Sequence, residues 1–366
     1  MAADRRIICK MALTEKRVVI GLSGGVDSAV GAALLKEQGY EVIGVTFKLL
    51  PEDWYPGADK ARNELVKRIS DVLGIDSIVV NAETDFLKEV IIPFLRAYHK
   101  GITPNPCALC NPRIKFYKLL EVAEEKSASW IATGHYARVV NGKGRFLLCK
   151  SVDSRRDQSY FLFGLNQVQL SRTIFPLGNI SKEEVRCLAE RLGLPNAGRK
   201  DSMDICFVPN GNYKTLIKEH PLEPIRGGEI VEVSGKVLGQ HKGIEFYTIG
   251  QRSGLGIAIG KPVYVVDLDP IERRVIVGPE SALYSDSFLV TDCNWIAFEI
   301  PPEKFRAVVK IRYNHTGVEA IVQPIDPTTV FVKTSQPQRA ITPGQAAVFY
   351  NEEIVLGGGW IARRKN

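Results

Sequence analysis

Between residues 17 and 39 an apolar run, a glycine pair and a helical pattern follow one another without a gap. The run at 17–22 passes through Gly21 and Leu22 into Ser23, Gly24, Gly25, Val26, Asp27 and Ser28, and the pattern at 29–38 ends on Gly39. An apolar stretch without alternation reads as a strand covered on both faces, and a glycine just past the last periodic residue is a common helix stop. A second strand at 41–47 completes a strand, tight turn, helix, strand unit. Such a unit belongs to an open parallel α/β sheet. Looser copies follow, with helices predicted at 62–73, 84–99 and 115–126 and strands at 77–81 and 130–133.

The texture changes after residue 215. Short runs rich in Val, Ile, Tyr and Phe at 263–267, 274–277, 305–313, 318–323 and 346–350 are separated by Gly, Pro, Asn and Asp, the pattern of barrel-type β domains. With 366 residues and about 100–200 residues per domain, two or three domains are expected. We place them at 1–215 (catalytic α/β), 216–282 (small, central, β-rich) and 283–366 (C-terminal β-barrel). No apolar run approaches the roughly 18 residues of a membrane span, and the first twenty residues lack a signal-peptide core. A cytoplasmic protein with no membrane partner is expected, with Met11 as an alternative start. The net charge of +7, concentrated in the first 215 residues, suits a polyanionic partner without demanding one.

The glycine pair sits where an α/β sheet binds ligands. Backbone amides at a helix start, with the helix dipole behind them, attract anions, and two glycines allow a phosphate to approach closely. Ser23 and Ser28 add hydroxyl donors, and Asp27 holds either the loop or a magnesium ion. The lysine of a Walker A loop is missing. The loop resembles the pyrophosphatase-type loop of enzymes that split ATP between its α and β phosphates and transfer AMP to a substrate oxygen.

Seven cysteines, Cys9, Cys107, Cys110, Cys149, Cys187, Cys206 and Cys293, with no secretion signal, argue for thiol chemistry or metal binding rather than a disulfide framework. Cys107 and Cys110 lie three residues apart in a Pro-rich loop ahead of a helix, and 201–207 supplies Cys206. Such a pair ligates a metal or cluster, cycles through a disulfide, or offers a thiolate whose pKa falls at a helix N-terminus. Three thiols are one short of a closed zinc site. The other four cysteines read as small buried hydrophobes.

Taken together, the loop at 21–28, the segment 103–111, the run 132–138, the stretches 156–161 and 201–207, and the tail motifs 247–252, Arg312-Tyr313 and 343–350 resemble the bacterial tRNA-specific 2-thiouridylases over nearly the whole chain. The resemblance implies an ATP-pyrophosphatase domain, a small central domain and a C-terminal β-barrel gripping one tRNA near its anticodon. It also implies adenylation of the C2 oxygen of uridine 34 in the glutamate, glutamine and lysine tRNAs, followed by sulfur transfer that yields 2-thiouridine, AMP and pyrophosphate. Carried over by position, Gly21, Leu22, Ser23, Gly24, Gly25, Val26, Asp27, Ser28, Phe47 and Gly134 line the ATP site. Cys206 carries a persulfide, and Cys110 is the nucleophile that releases the sulfur by closing a Cys110–Cys206 disulfide. Asn105, Pro106, Cys107, His135, Arg156, Asp157, Gln158, Arg312, Tyr313 and Gln345 match positions that meet tRNA or its target base. A cysteine desulfurase or sulfur-relay protein is the implied donor. The chemistry agrees: an amide-like oxygen leaves poorly until adenylated, and a base must leave its stack to be reached.

The chain departs from the family in two places. Cys107 stands where many members carry aspartate, and Phe47 where some carry methionine. With Cys107, Cys110 and Cys206 together it resembles related thiolases that hold a 4Fe-4S cluster on three cysteines. Persulfide and cluster chemistry therefore both stand open here, the ligand count leaning to the cluster. Two other classes are weighed: a small-molecule ligase with the same loop, and an RNA- or metal-binding module without catalysis. Neither accounts for loop, cysteines and β domains at once. Taken singly, His135, the basic runs at 155–156 and 363–365, and Trp54, Tyr55 and Trp360 read as structural or solvated.

Overall fold

A computed structural model describes residues 14–54, 57–142, 144–199, 205–208, 211–257 and 259–363. Cys9, Met11, Tyr55, Arg364, Lys365 and residues 201–204 of the Cys206 segment lie outside the described residues.

The first apolar run becomes β1 (Thr14–Gly21), whose Val18, Val19 and Ile20 have no solvent exposure. It is the middle strand of a five-stranded parallel sheet, which explains its unalternating composition. Helix α1 (Val26–Glu37), β2 (Glu41–Lys48), α2 (Ala58–Leu73) and β3 (Asp76–Asn81) follow. Next come α3 (Glu83–Phe86), a π turn (Leu87–Ile91) and α4 (Ile92–His99), which together occupy the single helix predicted at 84–99. After α5 (Pro106–Cys110) a second π turn (Asn111–Lys115) leads into α6 (Phe116–Glu125) and β4 (Ala128–Ala132). A hairpin, β5 (Ala137–Asn141) and β6 (Phe146–Lys150), precedes α7 (Gln167–Ser171), β7 (Thr173–Ile174), α8 (Lys182–Arg191) and α9 (Tyr213–Glu219). The sheet order is β3-β2-β1-β4-β7, so β1 and β4 are neighbours and their carboxyl ends lie side by side.

Four strands, β8 (Gly228–Glu232), β9 (Val237–His241), β10 (Tyr264–Asp269) and β11 (Arg274–Gly278), form a small sheet of order β10-β11-β8-β9. It seats on the end of α4, where His99 Nδ1 lies 2.9 Å from Glu245 Oε1 and both side chains are nearly buried. The last six strands are β12 (Tyr284–Trp295), β13 (Phe305–Lys310), β14 (Val318–Pro324), β15 (Val330–Arg339), β16 (Ala346–Asn351) and β17 (Ile354–Ile361). They run β12-β15-β14-β13-β16-β17 and close through a β12–β17 pairing into a barrel. The hairpin β5–β6, inside the segment assigned to the catalytic domain, joins the barrel's sheet through Ile354 opposite Cys149. One buried cluster accordingly holds Val19, Phe116 and Ile131 together with Val348, Tyr350 and Val355. Among the described residues no helix is long and apolar enough to cross a membrane.

The barrel also reaches the Pro-rich loop. Thr103 N–H donates to Pro343 O at 3.0 Å, and Gln345 Nε2 to Thr103 O at 3.0 Å. Gly344 lies between them at φ +86°, where an added Cβ would stand 2.2 Å from Ile102 Cγ2. A Gly344→Ala chain is expected to lose about 2 kcal/mol or more, from left-handed backbone strain and overpacking together. Thermal melting beside the parent checks this, and an unchanged Tm would mean that the barrel does not seat the loop as described.

Candidate active site

The phosphate-type loop is built by its own hydroxyls. Ser28 Oγ donates to Gly25 O at 3.0 Å and accepts from Ser23 N–H at 3.2 Å, while Gly25 N–H donates to Ser23 Oγ at 3.3 Å. Gly24 sits at φ +75°, a conformation that glycine adopts freely. The helix begins at Val26 rather than 29, so Asp27 and Ser28 lie in its first turn. Gly21 ends β1 opposite Val45, Leu22 is buried and its N–H donates to Val45 O at 2.7 Å, and Phe47 is half-buried on β2. Gly134 follows the end of β4, and a Cβ there would stand 2.7 Å from Ser28 N. All ten residues assigned to a nucleotide are thus gathered about one loop or on the strands that carry it.

The thiols lie on the adjoining side. Asn105 caps α5 by accepting from Ala108 N–H at 3.3 Å, Pro106 is its first residue, and Cys107 and Cys110 follow, half-buried and buried. Cys110, Phe207 and Val208 share one apolar cluster with Phe86 and Phe94, which brings the Cys206 segment to the helix carrying Cys110. Cys206 itself is exposed. Burial raises the thiols of Cys107 and Cys110, the latter to about 12, each within electrostatic reach of Cys206 and of Lys115, whose charge pulls the other way. Although the residue as a whole is exposed, protein packed about its thiol raises Cys206 as well, against Lys115 and Arg62. The lowering that a helix start gives a C-x-x-C pair is therefore overridden by burial.

Lys115 was not singled out from sequence. It ends the π turn at Asn111–Lys115 that follows Cys110, and its charge reaches all three thiols. No hydropathy pattern signals a π turn. Among the described residues no three His, Cys, Asp or Glu side chains are grouped to hold a metal ion. Cys110 is buried and Cys206 exposed, yet the three thiols lie within electrostatic reach of one another and of Lys115. Asp27 is also engaged, since its Oδ1 accepts from Tyr136 Oη at 2.8 Å and from Lys182 Nζ at 2.7 Å.

The two halves meet at consecutive residues. Gly134 touches the loop, and His135 stacks on Phe116 and pairs with Thr133 Oγ1 at 2.8 Å. Burial and the Lys115 charge push His135 down to about 3. Arg62 makes a second link: its side chain passes 3.7 Å from where a Gly24 Cβ would stand, and its charge reaches Cys206.

The residues expected to face tRNA divide. Tyr160 bonds Asn105 and Ala346 O and feels Arg312; Tyr313 tilts over Phe161, 4.6 Å between ring centres, and feels Arg156. Asn105, Arg156, Arg312 and Tyr313 therefore occupy one seam between barrel and α/β layer, with Gln345 bonded to its loop. Asp157 is buried and bonds Ser151 N–H at 3.2 Å and Ser159 Oγ at 2.9 Å, so it shapes its own loop. Pro106 is buried, and Gln158 Oε1 accepts from Tyr136 N–H at 3.0 Å. Of the cysteines read as buried hydrophobes, Cys149 is buried and Cys293 half-buried, but Cys187 is exposed on α8. Trp54 stacks on His220, and Trp360 packs edge-on against Phe163.

Three family models tile the chain: a tRNA methyl transferase HUP domain at residues 16–210, a tRNA methyl transferase PRC-barrel domain at 214–279 and an aminomethyltransferase beta-barrel domain at 285–361. A tRNA-specific 2-thiouridylase, MnmA 1, of Caldanaerobacter subterraneus subsp. tengcongensis is 45% identical over 363 residues, covering 96% of this chain and 99% of its own. MnmA 1 of Clostridium tetani is 43% identical, covering 95% and 97%. MnmA of Carboxydothermus hydrogenoformans is 45% identical, covering 96% and 98%.

His135 yields a pH prediction. Its folded pKa is about 3 against roughly 6.5 unfolded, so its contribution to stability is complete above pH 6.5 and shrinks as pH falls toward 3. A His135→Gln chain should lose less stability than the parent between pH 6.5 and 4 in denaturant titrations. Parallel losses would mean that His135 titrates normally.

Proposed function

The chain belongs to the tRNA-specific 2-thiouridylase family, and from that premise we propose how this sulfurtransferase acts. The observation that carries the proposal is the junction at Gly134 and His135, where a phosphate-type loop and a cysteine pair lie against consecutive residues. ATP is the nucleotide for the loop at 21–28. The C2 oxygen of uridine 34 attacks its α phosphorus, pyrophosphate leaves, and the oxygen becomes part of an AMP leaving group. Oriented amides of the loop stabilise the charge that develops on the phosphates.

Sulfur arrives on the other side. Exposed Cys206 is accessible to a donor protein and takes a sulfane sulfur as a persulfide, while buried Cys110 is shielded from it. The terminal persulfide sulfur attacks C2, AMP departs, and Cys206 is left joined to the base through a disulfide. The Cys110 thiol, giving up its proton beside the Lys115 ammonium, attacks Cys206 Sγ. The S–S bond to the base breaks, the electron pair stays on the released sulfur, and 2-thiouridine leaves with a Cys110–Cys206 disulfide closed behind it. A dithiol reductant then restores both thiols. Every sulfur and electron is accounted for without iron. Magnesium enters with ATP rather than on Asp27, whose carboxylate is partnered.

tRNA lies along the seam of Asn105, Arg156, Arg312 and Tyr313, with the target base turned into the cleft. Neutral His135, at the junction, is a hydrogen-bonding partner for that base, not a cation. Asp157 and Pro106 support this surface from beneath.

Cys206→Ala should abolish 2-thiouridine formation while ATP-dependent, tRNA-dependent pyrophosphate release continues. Cys110→Ala should also stop turnover but trap tRNA on Cys206, as a reducible covalent adduct in mass spectrometry. Cys107→Asp should retain activity. Full thiolation by either alanine chain, or loss of activity in Cys107→Asp together with loss of bound iron, would sink the sulfur route.

A further inference from the structure

The loop at 21–28 has no lysine of its own, yet an ammonium stands against it. Lys182 is the first residue of α8, whose start is fixed twice. Ser181 closes a capping box with Glu184, and Lys182 N–H donates to Asp153 Oδ2 at 3.1 Å. From there the Lys182 side chain, 4% exposed, runs inward to place Nζ 2.7 Å from Asp27 Oδ1 and 6.0 Å from the Tyr136 ring centre. Tyr136 Oη donates to the same oxygen at 2.8 Å. The residues after α8 hold the loop as well: Asn196 Nδ2 donates to Gly24 O at 3.1 Å, and Arg199 Nη1 lies 3.4 Å from that oxygen.

Burying an ammonium is costly, and a structural ion pair is a poor return for it. A return exists if the charge is needed where it stands. Asp27 is a third exposed and lies in the first turn of the helix whose free amides face the phosphates, so a cation bonded to it is one carboxylate away from them. We propose that Lys182 is a phosphate-binding residue of the nucleotide site, the loop's missing lysine supplied from α8. Asp27 and Tyr136 hold its ammonium ready for the β and γ phosphates of ATP, and its charge stabilises the departing pyrophosphate. The inference rests on ATP being the ligand of this loop.

The test measures AMP and pyrophosphate release with tRNA in the parent, Lys182→Met, Lys182→Arg, Asp27→Asn and the Lys182→Met/Asp27→Asn double variant, with melting temperatures alongside. Removing one preorganised charge at a reacting phosphate costs roughly 100-fold or more in rate. Lys182→Met should fall by that much, Lys182→Arg should recover part of it, and Asp27→Asn, which loosens the hold on that ammonium, should lose rate as well. The double variant removes both members of the Lys182–Asp27 pair, so its melting temperature should return toward the parent's while its rate stays low. Recovery of rate in the double variant, or a Lys182→Met rate equal to the parent's, would overturn the inference by making the pair structural. A parent that releases no AMP would instead refute the ATP reading itself.

Discussion

At the end of β4 the chain comes so close to the first turn of α1 that a single methyl group would collide with it, a Cβ on Gly134 meeting Ser28 N at 2.7 Å. The rest of the site depends on that contact. It requires β4 to neighbour β1 in a parallel sheet, which the order β3-β2-β1-β4-β7 supplies. It also delivers the next residue, His135, to the aromatic face of Phe116 and the field of Lys115. The phosphate-type loop and the cysteine pair are thereby held close to consecutive residues of one strand end.

The barrel is part of the same device. It takes the β5–β6 hairpin into its own sheet, shares a core with the parallel sheet, and fixes the loop ahead of Cys107 through Gln345 and Pro343. A Pro-rich loop has few amides to spend on internal bonds, so its shape is imposed from outside. Tyr160 bonds Ala346 O, and Asn111 Nδ2 donates to Phe161 O at 3.0 Å, extending the tie on either side of α5. The barrel seam and the loop ahead of the cysteine pair are therefore tied together.

Much of this was legible in the sequence, for reasons that differ by element. The residues at 17–28 announced strand, loop and helix because the signals were local: an unbroken apolar run, paired glycines and a helix stop. Barrel strands such as Val318–Pro324 showed because short Val- and Ile-rich runs were set off by turn residues, whereas Val330–Arg339 was not among the runs read from sequence. What stayed hidden was long-range or aperiodic. The β5–β6 hairpin looked like part of the α/β layer because its partner strand, β17, lies some two hundred residues on. Lys182 was invisible because its partner, Asp27, is 155 residues away. Lys115 was hidden by a π turn, which has no hydropathic period. Cysteine count leaned toward a cluster, but count does not place ligands, and among the described residues no metal-holding group is found.

The account stands on sulfur passing from Cys206 to the base, with Cys110 closing behind it. The direct measurement is a single turnover of iron-free protein charged with a persulfide on Cys206, mixed with ATP and tRNA under anaerobic conditions and analysed by mass spectrometry for nucleoside and protein together. The account predicts one 2-thiouridine formed for each Cys110–Cys206 disulfide closed. Thiolation that appears only after iron is restored, or that leaves both cysteines as free thiols, would contradict it.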